Sequence, residues 1–329
     1  MIRKFIPLVP IIAASLFACG AAEPETTKTE TSQKEAEVRS PEVKSTVDSA
    51  KSTASGAVFR PVGVVDVSTL STPTSSPESW RKVPADKLIL LQTARGAVLI
   101  EMTPEFTPAH AAQFSALAKS GHFNGLPFHR VIDGFMAQAG DTTLVSRPNP
   151  TTSNIVAEFY FRRSPETKMT ITGERRSADA GFINGFQVAS QNPLLASMTA
   201  DGKVEAWPLH CPGAVAAARL GNDINSANAQ FYITMGYPQN LEKNYTVWGR
   251  VRAGLRSVFK IKKGEPPMPP DLIEKFSLVS DLEAEDAPQV WVMNTNSEEF
   301  SNYLEGLRSE SGKLPDVCDI DVPVIVSWP

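Results

Sequence analysis

From Leu88 onward the apolar residues of this chain come in runs of only four to six, separated by glycine, proline, asparagine and aspartate. Runs of that length fit strands, whereas a helix needs an apolar pattern over ten residues or more. Leu88-Ile89-Leu90-Leu91 and Ala97-Val98-Leu99-Ile100 flank Ala94-Arg95-Gly96 and predict a hairpin. Further runs lie at 128–132, 135–138, 155–159, 214–218, 231–234 and 246–251. Helix signals are few. Thr107-Pro108 predicts a helix start, Phe114, Leu117 and Ala118 share one face, and Gly121 sits where a C-terminal glycine belongs. A second helix is expected over Leu255–Lys262. Many short strands and two helices predict a mainly β fold: a closed antiparallel barrel capped by two α-helices.

The first part of the chain is of another kind. Arg3 and Lys4 precede an apolar run from Phe5 to Phe17, too short to span a bilayer, and small residues follow. This predicts an export signal over residues 1–18. Leu16-Phe17-Ala18-Cys19-Gly20 resembles a bacterial lipobox, which would make Cys19 the lipidated first residue of the mature chain. The alternative is cleavage after Ala22, giving a soluble periplasmic or secreted protein. Residues 19–84 are dominated by Thr, Ser, Glu, Lys, Ala and Pro and are read as a disordered tether. The folded body is expected at 85–281, with a C-terminal extension at 282–329. With a net charge of −4 and no clustered basic stretch, the chain lacks the footprint of a nucleic-acid binder.

Within the body, Phe128-His129-Arg130-Val131-Ile132-Asp133-Gly134-Phe135-Met136-Ala137-Gln138-Ala139-Gly140-Asp141 resembles the signature of the cyclophilin family. Pro212-Gly213-Ala214-Val215-Ala216-Ala217-Ala218-Arg219, Ala229-Gln230-Phe231-Tyr232-Ile233 and Tyr245-Thr246-Val247-Trp248-Gly249-Arg250-Val251 resemble later strands of that family, in the same order. The resemblance implies a cyclophilin-like barrel and peptidyl-prolyl cis-trans isomerase activity on proline-containing polypeptides. It implies no cofactor, and the spacing of the four histidines suits no metal site. A monomer is expected.

The chemistry is consistent with these residue types. Rotation about a peptide bond is opposed by about 18–20 kcal/mol, because nitrogen shares its lone pair with the carbonyl. A site that binds the twisted amide better than either planar form accelerates the exchange without nucleophile or metal. The resemblance assigns Arg130 to the pyramidal nitrogen and Gln138 to the carbonyl. It places Phe135, Met136, Tyr232 and Leu241 around the proline ring, and Ala218, Arg219, Gln230 and Tyr245 along the groove. Taken singly, an apolar pair such as Phe135-Met136 is more often core than pocket; the joint spacing favours the pocket.

Several features depart from the family. Asn240 stands where a tryptophan is usual and Tyr245 where histidine is common. Residues 142–153 replace a glycine-rich loop. An inserted loop region is expected at about 160–211, in which Arg162-Arg163 and Arg175-Arg176 read as solvated charges. The extension predicts a strand at Val290–Met293 and a helix that starts at Asn296 and ends by Gly312. Cys211 and Cys318 remain once Cys19 is set aside. Export favours a disulfide between them, and two buried free thiols are the alternative. Three functions fit at this point: an isomerase for exported proteins, a module that only binds proline peptides, and an envelope scaffold with a vestigial groove.

Overall fold

The computed structural model describes residues 77–142 and 153–328. Strands β1 (Trp80–Lys82), β2 (Leu88–Thr93) and β3 (Gly96–Met102) come first, then helix α1 (Pro108–Lys119), β4 (Arg130–Ile132) and β5 (Met136–Gly140). Residues 161–208 supply β6 (Phe161–Arg163), β7 (Thr170–Arg175), β8 (Ala178–Ile183), β9 (Phe186–Ser190) and β10 (Val204–Pro208). There follow β11 (Ala214–Ala217), β12 (Gln230–Thr234), β13 (Val247–Ala253), α2 (Leu255–Phe259) and β14 (Lys275–Leu278). The extension contains β15 (Gln289–Met293), α3 (Glu298–Gly306) and β16 (Val324–Ser327).

Eight of these strands form one antiparallel sheet in the order β14-β2-β3-β13-β11-β12-β5-β4. Its two edges are joined by the segment between α2 and β14. Val131 exchanges backbone hydrogen bonds with Gly264 at 2.8 and 2.9 Å, and the Phe128 amide donates to Asp271 at 2.9 Å. The curled sheet thereby avoids a free edge, which would otherwise invite pairing with another chain. Its interior takes alternate residues of each strand, among them Ile89, Leu91, Val98, Ile100, Val131, Ala137, Val215, Phe231 and Ile233. Phe114 of α1 stacks on Trp248 of β13 at 4.2 Å and fills one end.

Helix α1 begins and ends where its sequence signals lie, but the cap at its start is supplied from afar. The Thr107 side chain makes no capping bond. Instead the Glu158 carboxylate accepts from the amides of Ala109 and His110, each at 3.0 Å, and contacts His110 Nδ1 at 2.7 Å. Burial alone would raise the Glu158 pKa; the bonds from His110 and the two amides outweigh it and lower it. At the other end Gly121 has φ +65°, His122 N donates to Leu117 O and Gly121 N to Ala118 O. This is a Schellman ending.

Several expectations change; the run at 155–159, for one, forms no strand beyond the single bridge of Ile155 to Ala227. Residues 161–208 are not a loop region: β6 to β10 form a five-stranded antiparallel sheet in the order β6-β10-β9-β8-β7. The turn between β8 and β9 is Asn184-Gly185, with φ of +52° and +79°. Only residues tolerant of the left-handed region make such a two-residue hairpin, and Asn-Gly is its preferred pair. The tether does not run to residue 84 either. β1 pairs with β15, Trp80 opposite Met293, in a three-stranded sheet ordered β1-β15-β16, and Val83 is buried. In the extension Ser297, not Asn296, caps α3 by accepting from the Phe300 amide at 3.1 Å, and the helix ends at Gly306. Residues 1–76, including the expected signal, Cys19 and most of the tether, lie outside the described residues.

The two added sheets and α3 cover the outer face of β2 and β3. Leu88, Leu90, Ala97 and Leu99 pack there with Phe182, Trp207, Val290, Val292, Phe300 and Leu304. Because these two strands are buried on both faces, their sequences are continuous apolar runs rather than alternating ones. At the seam, Glu101 accepts from Arg81 Nη1 at 2.6 Å, Arg81 Nη2 at 2.9 Å and Arg252 Nε at 2.6 Å. Arg81 and Arg252 also donate to the carbonyls of Asn184 and Gly185 in the β8–β9 turn. Burial pushes the Glu101 pKa up, but the two arginines win and hold it below its ordinary value.

Candidate active site

Register decides which side chains meet on the opposite outer face. Arg130 of β4 lies across from Gln138 of β5, Gln138 from Tyr232 of β12, Tyr232 from Ala216 of β11, and Ala216 from Val247 of β13. Residues directly opposite one another in an antiparallel sheet point to the same face. One step along, Val131, Ala137, Ile233 and Val215 form the matching row on the inside. The alternation of the sequence thus sorts one row into the core and the other onto the groove.

On the groove side Met136, Ala214, Ala216, Tyr232 and Val247 form a buried apolar cluster, with Ile132, Phe135, Ala218, Leu241 and Tyr245 half-buried around it. Leu241 arrives on a short 3-10 turn, Gln239–Leu241. Tyr245 meets Tyr232 edge-on at 5.9 Å. The result is an apolar patch flanked by polar groups. Asn240 is exposed on the same turn, and its carbonyl accepts from Asn244 Nδ2 at 3.1 Å.

Each polar neighbour is held. Arg130 donates from Nε to Glu265 at 2.7 Å, and its guanidinium carbon lies 5.9 Å from the Phe135 ring centre. Gln138 Nε2 donates to Gln230 Oε1 at 3.0 Å, and Gln230 Nε2 donates to the Asp141 carbonyl at 3.0 Å. This chain leaves the Gln138 carbonyl oxygen and one amide hydrogen for a ligand. Arg219 folds over the Tyr245 ring, 4.5 Å from its centre, and donates to the carbonyls of Asn244 and Leu220. A cavity of about 230 Å³ continues the groove past Gln138, Ala218, Arg219 and Gln230.

Beneath the patch lies a residue that the sequence did not single out for the site. His210 Nε2 is 3.0 Å from the Tyr232 hydroxyl, and the two rings stack. Burial pushes the His210 pKa down to about 3, so the imidazole is neutral at ordinary pH. Burial likewise raises the Tyr232 phenol well above its usual value. The next residue, Cys211, is joined to Cys318 by a disulfide. Leu241 is followed by Glu242, which accepts from Arg175 Nη1 at 3.0 Å. Arg175 Nη2 donates to Asp316 at 2.6 Å, and its Nη1 contacts Cys318 Sγ at 3.3 Å. Arg175 is therefore not a solvated charge but a buried tie between the inserted sheet, the extension and the wall of the patch. Arg163 is buried too, donating to Ser190 Oγ and the Thr167 carbonyl.

All the expected groove residues thus gather at one face of the sheet. The sequence missed Glu265, His210, Glu242 and Arg175. Each acts across more than twenty residues, and none carries a local spacing signal; His210, directly before Cys211, offered the only hint.

Comparison with known proteins agrees with this geometry. The family model described as cyclophilin type peptidyl-prolyl cis-trans isomerase/CLD matches residues 88–278. A Brucella suis protein described as a probable peptidyl-prolyl cis-trans isomerase is 31% identical over 179 residues, which is 54% of this chain and 73% of that one. Human peptidyl-prolyl cis-trans isomerase-like 1 is 26% identical over 185 residues, 56% of this chain and 82% of its own. Among solved structures, cyclophilin AquaCyp293 from Hirschia baltica superposes with a TM-score of 0.70 at 36% identity. It covers 76% of this chain and 94% of its own, so the likeness reaches beyond the stretch matched by the family model.

Proposed function

The chain belongs to the cyclophilin-type peptidyl-prolyl cis-trans isomerase family and is an isomerase of X-Pro bonds; on that premise we propose that catalysis runs through Arg130 and Gln138 above the Met136–Tyr232 patch, on exported client proteins. The observation that carries the residue assignment is the single row Arg130, Gln138, Tyr232, Ala216 across four neighbouring strands. A prolyl ring seats on the apolar patch, with Phe135, Leu241 and Tyr245 as its walls. As the amide twists, its nitrogen becomes pyramidal and gains a lone pair. Arg130 lies at the edge of the patch, and its remaining N–H groups donate to that lone pair while Glu265 holds Nε. Gln138 and the Gln230 amide bond the carbonyl on the moving side. Bonds made only in the twisted state lower the barrier, and each ~1.4 kcal/mol so gained is about tenfold in rate. Ala218, Arg219 and Gln230 line the path of the flanking peptide.

The compartment follows from the first residues. The basic start, the short apolar run and Leu16-Phe17-Ala18-Cys19 support export and a lipid on Cys19, with the body on the periplasmic side of a bacterial membrane. The Cys211–Cys318 disulfide supports an oxidising compartment. The substrates there are newly exported polypeptides whose X-Pro bonds exchange in tens to hundreds of seconds unaided.

Two experiments test these assignments. A protease-free isomerisation assay on a short X-Pro peptide should show turnover in the wild type and a loss of about tenfold or more in Arg130→Ala, from one charge-assisted bond. Unchanged turnover in the folded variant removes Arg130 from the mechanism. Expression with labelled fatty acid should label the wild type and not Cys19→Ser; a mature N-terminus at Glu23 contradicts the anchor.

A further inference from the structure

Away from the groove, a cavity of about 250 Å³ opens between the end of β13, α2 and the segment leading into β16. Its polar lining is Arg250, Arg252, Arg256 and Asp321. Arg250 is the unusual member. It is 8% exposed, yet no hydrogen bond or ion pair reaches its side chain among the described residues. The register places it opposite Glu101, but both Glu101 oxygens are taken by Arg81 and Arg252. Nor does Asp321 lie within ion-pair distance of it. Arg256, at the exposed mouth, also has no partner among the described residues.

A largely buried guanidinium without a hydrogen-bonded partner is costly, even with the Asp321 charge acting on it through space, and in proteins it does not escape by shedding its proton near neutrality. Burial, followed by the charge of Arg252 and opposed by that of Asp321, lowers the Arg250 pKa to about 9, which still leaves it protonated at pH 7. A second residue, Arg252, donates from Nε to Glu101 and from Nη1 to the Gly185 carbonyl, and its buried Nη2 has no partner among the described residues. Taking Arg81, Arg250, Arg252 and Arg256 with Glu101 and Asp321, the groups in and behind the cavity sum to +2. The cavity is many times the ~30 Å³ share of one water, so it admits more than solvent.

We infer that this cavity is a binding site for a phosphate-type oxyanion, with Arg250 as its buried fork and Arg256 as its outer one. Guanidinium forks match the paired oxygens of phosphate, and a dianion matches the charge. The source is either the free ion or a small phosphate monoester, which would present the same oxygens.

Titration calorimetry on the full chain decides this, with sodium phosphate and glycerol phosphate as probes against sodium chloride at matched ionic strength and pH 7. Saturable one-to-one binding with a Kd of about 1 mM or tighter is expected for phosphate. Arg250→Gln should weaken it by about tenfold, and Arg256→Gln by about threefold, with isomerase turnover unchanged in both. Equal binding of glycerol phosphate identifies a monoester as an acceptable ligand; binding of phosphate alone identifies the free ion. Absence of saturable heat in the wild type overturns the inference. So does unchanged affinity in Arg256→Gln, an exposed substitution that leaves the fold intact even if Arg250→Gln does not.

Discussion

The curled sheet has two outer faces, and they are built to opposite ends. Over β2 and β3 the outer face is roofed by two further sheets and α3, and in the charged cluster there the buried Glu101 carboxylate is fully engaged by Arg81 and Arg252. Over β4, β5 and β12 the outer face stays open, and its charged group, Arg130, is two-fifths exposed with hydrogen-bonding capacity left over. The contrast teaches where binding energy resides. Groups whose bonds are all made within the protein contribute to stability. Groups left partly unmatched, beside an apolar patch, are available for a substrate. The two faces are joined by buried ties, Arg175 to Glu242 and His210 to Tyr232 beside the Cys211–Cys318 bond, and by exposed ones, Tyr237 to Asp319 and Lys243 to Glu205.

Substituting the sealed cluster should give the largest effect. Glu101→Gln leaves Arg252 buried without its counter-ion and is expected to cost about 3–5 kcal/mol in urea unfolding. Turnover per folded molecule should stay near wild type. A large loss of turnover at unchanged stability would erase the distinction between the faces.

Removing the covalent tie comes next. Cys211→Ser with Cys318→Ser opens a loop whose ends are 107 residues apart and should cost about 2–4 kcal/mol. Because Cys211 adjoins His210, a rise in KM should accompany the loss of stability. A stability change with no change in KM would show that the tie does not reach the patch.

Acid should weaken the fold through buried histidines before the carboxylates titrate. The folded His210 value of about 3 lies below its ordinary 6.5, so the folded state binds the proton less well. Its contribution is complete above pH 6.5 and is lost as pH falls toward 3, at about 1.4 kcal/mol per pH unit. His129, also lowered by burial, adds to the same slope, while Glu242, raised by burial, opposes it. Unfolding free energies between pH 6.5 and 5 should therefore fall steeply in the wild type and less steeply in His210→Gln. Equal slopes would contradict the assignment of a neutral buried imidazole.

The smallest effect concerns orientation at the open face. The Arg130–Glu265 pair is exposed on both sides, so Glu265→Gln should change stability by less than about 1 kcal/mol. Turnover should drop by about two- to fivefold, since Arg130 loses a guide but keeps its charge. Stopped-flow isomerisation reads this directly.

How much was legible in the sequence differs between the two faces for a physical reason. The groove face is encoded locally: the window from Phe128 to Asp141 carries Arg130, Phe135, Met136 and Gln138 within one hairpin, and period-two alternation assigns Arg130, Met136 and Gln138 to one side. The roofed face is encoded by distant partners. Trp80–Lys82 looks like tether until β15 pairs with it. Strand β7, Thr170-Ile171-Thr172-Gly173-Glu174-Arg175, has a single large apolar residue, Ile171, and that one is exposed, so its sequence resembles a loop. One strong local signal does lie there: Asn184-Gly185 between apolar Phe182-Ile183 and Phe186 marks a two-residue hairpin. Buried Arg163 and Arg175 could not be told from solvated ones, because Arg163 donates to a backbone carbonyl and a hydroxyl, and the acids that pair with Arg175 lie far along the chain.

The most direct test crosses the two faces in one experiment. Arg130→Ala and Glu101→Gln are each measured for turnover per folded molecule and for urea midpoint. The open-face account predicts that Arg130→Ala loses about tenfold or more in turnover with an unshifted midpoint, while Glu101→Gln shows the reverse. Folded Arg130→Ala protein turning over at the wild-type rate would contradict it.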